Sequence, residues 1–154
     1  MADPRHPRPV DPLDPVADTG RVRVDRTGPG RYAAGNGRAT AIPIGLAGSA
    51  GAYSPTELLR IALAGCVGLS ADHVVSRRLG GESEVSIAVT GDHDPVERRF
   101  TRLASTMTLD LSGLDPQAQE QLRAVVTRAV HRYCTVGRTL EHATPVPLAV
   151  VGSA

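Results

Sequence analysis

The spacing of apolar positions changes several times along this chain, and each change marks an element. Arg21-Val22-Arg23-Val24 alternates charged and apolar residues and predicts a strand, followed by a turn at Thr27-Gly28-Pro29-Gly30. Asn36-Gly37 is a hairpin signal, because both residues tolerate positive φ. The next strand is expected from Arg38 to Ile44, with Pro43 marking an edge or an end. Gly45 to Ala52 reads as a loop of small residues. The period then becomes helical. Ser54 is a favourable N-cap, Pro55 fits the first helical position, and Glu57 completes a capping box. Leu58, Leu59, Ile61, Ala62, Leu63 and Ala64 follow, and the helix is expected to reach Leu79 and stop at Gly80-Gly81. It is apolar around so much of its circumference that it predicts a central, buried helix.

Alternation returns over Glu84–Thr90 (Val85, Ile87, Val89) and over Phe100–Leu111, with a loop at Asp92–Glu97 between them. Asp115-Pro116 opens a second helix, in which Leu122, Val125, Val126, Ala129, Val130 and Tyr133 keep helical spacing and Cys134 falls at the far end. Pro145 to Val151 reads as a last short strand. The order of hairpin, helix, hairpin, helix and strand is an α+β layout. Residues 1–19 hold Pro4, Pro7, Pro9, Pro12 and Pro15 and predict a disordered tail ahead of one domain over 20–154.

Composition narrows the function. A chain of 154 residues and 16.1 kDa suits one domain. A net charge of +1 gives no field for nucleic acid or an anionic membrane. With no Trp, one Phe and three Tyr, base-stacking platforms and sugar-binding shelves are disfavoured. All 17 basic residues are Arg, and the lack of Lys removes Schiff-base chemistry and a P-loop lysine. Met1 to Gly20 lacks the apolar core of a signal peptide, and the longest apolar run, Leu58–Leu69, is broken by Arg60 and reads as too short for a bilayer. A cytoplasmic location with reduced thiols is the expectation.

The candidate chemistry rests on two cysteines, Cys66 and Cys134, which form no C-x-x-C motif. Cys66 lies in Ala64-Gly65-Cys66-Val67-Gly68. One reading is a small hydrophobe in a tight helix contact; the other is a nucleophile reached through the gap at Gly65 and Gly68. A free thiol with a pKa near 8.5 is only about 3% thiolate at neutral pH, so a working Cys66 needs a cation beside it, here Arg or protonated His. Cys134 and His131 stand one helical turn apart, a spacing that suits a metal, although two ligands do not make a site. His73 lies seven residues after Cys66 on the same helix face but two turns away.

Two stretches carry a family resemblance. Ser54-Pro55-Thr56-Glu57-Leu58-Leu59 followed by Ala62-Leu63-Ala64-Gly65-Cys66, and later Tyr133-Cys134-Thr135-Val136-Gly137-Arg138-Thr139-Leu140, resemble the OsmC/Ohr family of osmotically induced and organic-hydroperoxide-resistance proteins. The likeness spans roughly residues 20–151. It implies an OsmC-like fold and an intertwined homodimer, with sheets of both chains wrapped around long central helices and active sites at the interface. It further implies that Cys66 is the peroxidatic thiol and Cys134 the resolving one. By the same likeness, an arginine from the N-terminal strands and a glutamate at the helix start would activate Cys66. The arginine's place falls nearest Gly28, which leaves Arg26 and Arg31 as candidates. The family glutamate directly follows the proline, where this chain has Thr56, with Glu57 one later. Nine residues at 100° each put Glu57 about 180° from Cys66, so it serves equally as the capping-box acid. Cys134 precedes Thr135, where relatives often carry proline.

The expected activity is reduction of organic hydroperoxides, with hydrogen peroxide as a second candidate substrate, through a Cys66 sulfenate and a Cys66–Cys134 disulfide. No metal or bound cofactor is expected, and an external dithiol of the lipoyl type would restore the pair. The expected partners are a second copy, the hydroperoxide and that dithiol. Two alternatives stand beside this: a catalytically silent dimeric scaffold that binds an apolar small molecule, and a dimer that binds metal through His131 and Cys134.

Overall fold

The structure is a computed structural model that describes residues 22–142 and 144–150. The expected tail over 1–19 lies outside the described residues. The chain runs β1 (Arg23–Gly28), β2 (Arg31–Gly35), β3 (Ile42–Ile44), α1 (Pro55–Leu79), β4 (Val85–Asp94), β5 (Arg99–Leu109), α2 (Pro116–Tyr133) and α3 (Thr135–Glu141). Two antiparallel sheets result, one of order β1-β2-β3 and one of β4-β5.

The α1 helix begins as its sequence dictates. The Ser54 amide and hydroxyl both donate to Glu57 Oε2 at 2.7 Å, and the Glu57 amide donates back to Ser54 Oγ at 3.3 Å. Such a cap contributes about 1 kcal/mol. Leu63, Val67, Ala71 and Val75 form the buried stripe, with Ala71 0% and Val75 2% exposed. This stripe faces α2 and the β4-β5 sheet, and burial of each large aliphatic side chain stabilises by roughly 1.5–3 kcal/mol. A Cβ at Gly68 would stand 2.9 Å from Ile87 Cδ1, so the missing side chain is what lets β4 approach α1. By length and composition alone, α1 is also long and apolar enough to cross a membrane, which corrects the expectation of too short a run. In this fold its apolar stripe is spent on α2 and β4.

Several boundaries differ from the sequence expectation. The first strand starts at Arg23 and reaches Gly28, and only Ile42–Ile44 of the expected Arg38–Ile44 strand is paired. The Asn36 side chain explains the late start: its Oδ1 accepts from the Arg38 amide at 3.0 Å and holds a turn there. The β4 strand continues through Asp94, so the first half of the expected loop at Asp92–Glu97 is strand and the second half is the turn. No strand forms over 144–150, because no neighbouring strand among the described residues pairs with it; Val146, Leu148 and Val150 are exposed, and Val151 lies outside the described residues.

The β1-β2-β3 sheet stands apart from the rest of the protomer. Its link to the core is a parallel bridge between Ile44 and Tyr53, in which the Tyr53 amide donates to the Pro43 carbonyl and the Gly45 amide to the Tyr53 carbonyl, each at 3.0 Å. No residue of these three strands is buried.

Candidate active site

The two cysteines, 68 positions apart in sequence, meet where α1 passes the junction of α2 and α3. Cys66 is half-buried on α1 and packs against the cluster of Leu63, Val67 and Cys134. Cys134 is 2% exposed and ends one helix while starting another. Its amide donates to the Val130 carbonyl at 2.9 Å, closing α2. Its Sγ accepts from the Gly137 amide at 3.4 Å, opening α3. A Cβ at Gly137 would stand 3.2 Å from Cys134 Sγ, so glycine leaves the sulfur its room.

The backbone turn after Cys134 also serves Cys66. The Val136 amide donates to Cys66 Sγ at 3.5 Å. One residue on, Gly137 serves the other sulfur, so successive amides of one short helix hold both thiols. Ser70, one turn beyond Cys66 on α1, donates its hydroxyl to the Cys66 carbonyl at 2.6 Å.

These contacts separate the acidities of the two thiols. Burial pushes Cys66 up, but its donors outweigh this: the Val136 amide, the Cys134 thiol and the Thr135 amide together hold it below the ordinary cysteine value. Burial pushes Cys134 up. The Gly137 amide opposes this, while the neighbouring Cys66 sulfur and the Glu141 charge add to it, so Cys134 remains a thiol and a donor at neutral pH. Alkylation by iodoacetamide, followed peptide by peptide against pH, should therefore give Cys66 a midpoint below that of Cys134 and below that of a free thiol. Under that midpoint protonation removes the nucleophile and the rate falls. A Cys66 midpoint at or above that of Cys134 would contradict this arrangement.

The other sequence candidates sit elsewhere in the protomer. Arg26 and Arg31 are exposed on the β1-β2 hairpin, with Arg26 opposite Tyr32 and Arg31 opposite Gly28. Glu57 is engaged with Ser54, whose hydrogen bonds hold its carboxyl below its usual value. Among the described residues of one protomer, none of the three hydrogen-bonds to either cysteine. His73 is exposed on α1. His131 lines the same groove as Cys134, but no group of three or more His, Cys, Asp or Glu gathers among the described residues. Sequence reasoning missed the amides of Val136 and Gly137, for which no residue-type signal exists. Ser70 was visible at i+4 from Cys66.

A groove of about 1140 Å³ opens between α1, β5, α2 and α3. Leu59, Leu63, Val67, Leu103, Met107 and Val130 form its apolar walls, and Cys134 lines it. Cys66 lies on the border of this face and the opposite, exposed face of α1, where Ile61 is 49% and Leu69 83% exposed.

A core helix with one cysteine, met by a second cysteine that joins two helices, defines a two-thiol α+β protein. Residues 48–149 match the family described as OsmC-like protein, and the chain belongs to that family. It is 42% identical over 128 residues to an uncharacterized protein of Mycobacterium tuberculosis, a match covering 83% of this chain and 93% of the relative. Among solved structures, an OsmC-like protein from Mycoplasma pneumoniae superposes with a TM-score of 0.59 at 13% identity, covering 82% of this chain and 89% of the other. The organic hydroperoxide resistance protein OhrB of Bacillus subtilis gives 0.50 at 21% identity, covering 80% and 92%. These two structures speak to the fold.

Proposed function

We propose that this protein is a thiol peroxidase that reduces organic hydroperoxides. The observation that carries the reading is the pair itself: a half-buried, acidified Cys66 beside a buried Cys134 that is kept as a thiol. The Cys66 thiolate attacks the distal oxygen of the peroxide, the O–O bond breaks, and the alkoxide leaves as alcohol after taking a proton. Cys66 is left as a sulfenic acid. Its negative charge is then gone, and with it one of the influences that hold the Cys134 proton. Cys134 can now ionise and attack the Cys66 sulfur, releasing water and forming the disulfide. An external dithiol restores both thiols.

The homodimer implied by the resemblance is supported by two features of the protomer. The β1-β2-β3 sheet has no buried residue, and a small sheet needs an apolar face or a packed helix for stability. The exposed Ile61 and Leu69 face of α1 likewise lacks a cover. A second copy supplies both, and its N-terminal sheet would bring Arg26 or Arg31 to Cys66. Sedimentation at low micromolar concentration is expected to give a dimer; a folded monomer there would refute the shared site.

The activity is tested by adding one equivalent of cumene hydroperoxide to the reduced protein. The expected product is an intramolecular Cys66–Cys134 disulfide that dihydrolipoamide reduces. Both cysteines remaining reduced would favour a silent scaffold instead.

A further inference from the structure

The α3 helix has little of its own to keep it folded. It is seven residues long and buries no side chain, and Thr135, Val136, Gly137 and Thr139 are weak helix formers. Isolated helices shorter than about 12–15 residues are marginal in water. Its first turn is held by sulfur. The Val136 amide donates to Cys66 Sγ at 3.5 Å, and the Gly137 amide donates to Cys134 Sγ, the N-cap, at 3.4 Å. Its side-chain ties lie further along the helix. The Arg138 guanidinium donates to the Arg132 carbonyl at 3.3 Å, and His142 Nδ1 and Thr144 Oγ1 donate to the Arg138 and Thr139 carbonyls at 2.7 and 3.4 Å.

Building on the peroxidase reading, we propose that the first turn of α3 is a redox-operated cover, seated over the two sulfurs while both are thiols and released when they form the disulfide. Oxidation removes both anchors. One hydroperoxide takes two electrons from the pair, the S–S bond forms, the O–O bond breaks, and the two thiol protons leave in alcohol and water. The Cys66 thiolate becomes an uncharged disulfide sulfur, so the Val136 amide loses a charge-assisted hydrogen bond. Cys134 Sγ leaves the Gly137 amide as it turns toward Cys66. The movement falls on this side, because Cys66 is carried by α1 beside Leu63 and Val67 of the buried cluster, whereas no residue of α3 is buried.

The cover controls access. Cys134 is 2% exposed in the reduced protein, and Gly137 lies against it: a Cβ there would stand 3.2 Å from Cys134 Sγ and 3.8 Å from Leu63 Cδ1. Thiol–disulfide exchange needs access to the sulfur under attack, and a turn packed against Cys134 denies it. Release opens the disulfide to reduction. Once both thiols are restored, the turn seats again, shields Cys134 and returns the Val136 donor to Cys66.

The test compares hydrogen exchange of the full chain, resolved by residue, between the reduced protein and the protein oxidised with diamide, so it does not depend on peroxide. The Val136 and Gly137 amides should exchange about tenfold faster after oxidation, the effect of losing one such hydrogen bond, while the amides of Leu63–Val75 keep their protection. Equal or slower exchange of these two amides overturns the proposal, as does failure of diamide to form the Cys66–Cys134 disulfide. The covering itself is tested in Cys66→Ser, where Cys134 is the one remaining cysteine. Thr139 is an exposed α3 position, where alanine strengthens and glycine weakens the helix. Iodoacetamide should alkylate Cys134 about fivefold faster with Thr139→Gly than with Thr139→Ala, the ratio that their helix propensities set. Equal rates overturn the cover. If peroxide fails to form the disulfide where diamide succeeds, the peroxidase reading falls and the exchange experiment still decides the switch.

Discussion

Replacing Cys66 with serine is expected to lower hydroperoxide consumption by roughly 10³-fold or more while the protein stays folded. The loss follows from chemistry. A serine hydroxyl stays protonated near neutral pH, and no arrangement of the Val136 amide or the Ser70 hydroxyl makes it a nucleophile toward a peroxide oxygen. Retention of the fold follows from geometry. Cys66 is half-buried, and a serine oxygen fits the same space and accepts from the same Val136 amide. Stability should change by less than about 1 kcal/mol. Peroxide consumption by a ferrous-oxidation assay, with thermal unfolding measured alongside, checks both halves. Activity persisting in Cys66→Ser would end the mechanism.

The second large effect is expected at Cys134. Cys134→Ser should complete one turnover at near the parent rate and then lose activity over successive turnovers. Without a resolving thiol, the Cys66 sulfenate is exposed to further peroxide and proceeds to sulfinic acid, which ordinary thiols do not reverse. Intact mass should show two added oxygens, mapped to the Cys66 peptide. The variant also carries a structural cost, because Cys134 lies in the core cluster with Leu63 and Val67, and a buried hydroxyl needs a partner. The Gly137 amide supplies one partner, and Cys134→Ala serves as the control that removes the polar atom. Sustained turnover in both variants would mean that Cys134 does not resolve the sulfenate.

What could be read from the sequence was whatever local chemistry determines. The start of α1 was legible in Ser54-Pro55 and Glu57, since capping is settled within four residues. The bounds of α1 and α2 followed from Gly80 and Asp115-Pro116 in the same way. The α3 helix was not legible: Thr135, Val136, Gly137 and Thr139 are weak helix formers, and the helix exists because Cys134 caps it and Leu63 packs beside it. The expected strand at Pro145–Val151 shows the converse. Its alternation is real, but a strand is completed by a neighbour, and over 145–150 the described residues supply none. The site divides along the same line. Cysteines are named by their letters, whereas the amides that acidify Cys66 belong to residues whose side chains play no part. Arg26 and Arg31 could be nominated only by a position in the chain, and one protomer leaves them away from the thiols.

The placement of the two sulfurs has a mechanical consequence. Between Cys66 and Cys134 runs nearly half of the chain, including the β4-β5 hairpin and all of α2. A bond between them is therefore a staple across the second half of the fold, and closing a loop of that length restricts the unfolded chain by about 4 kcal/mol in the entropic account. Each catalytic cycle would tie and untie this staple. The oxidised protein would resist unfolding more than the resting one, and the cell's supply of dithiol would set how tightly the molecule is laced at any moment.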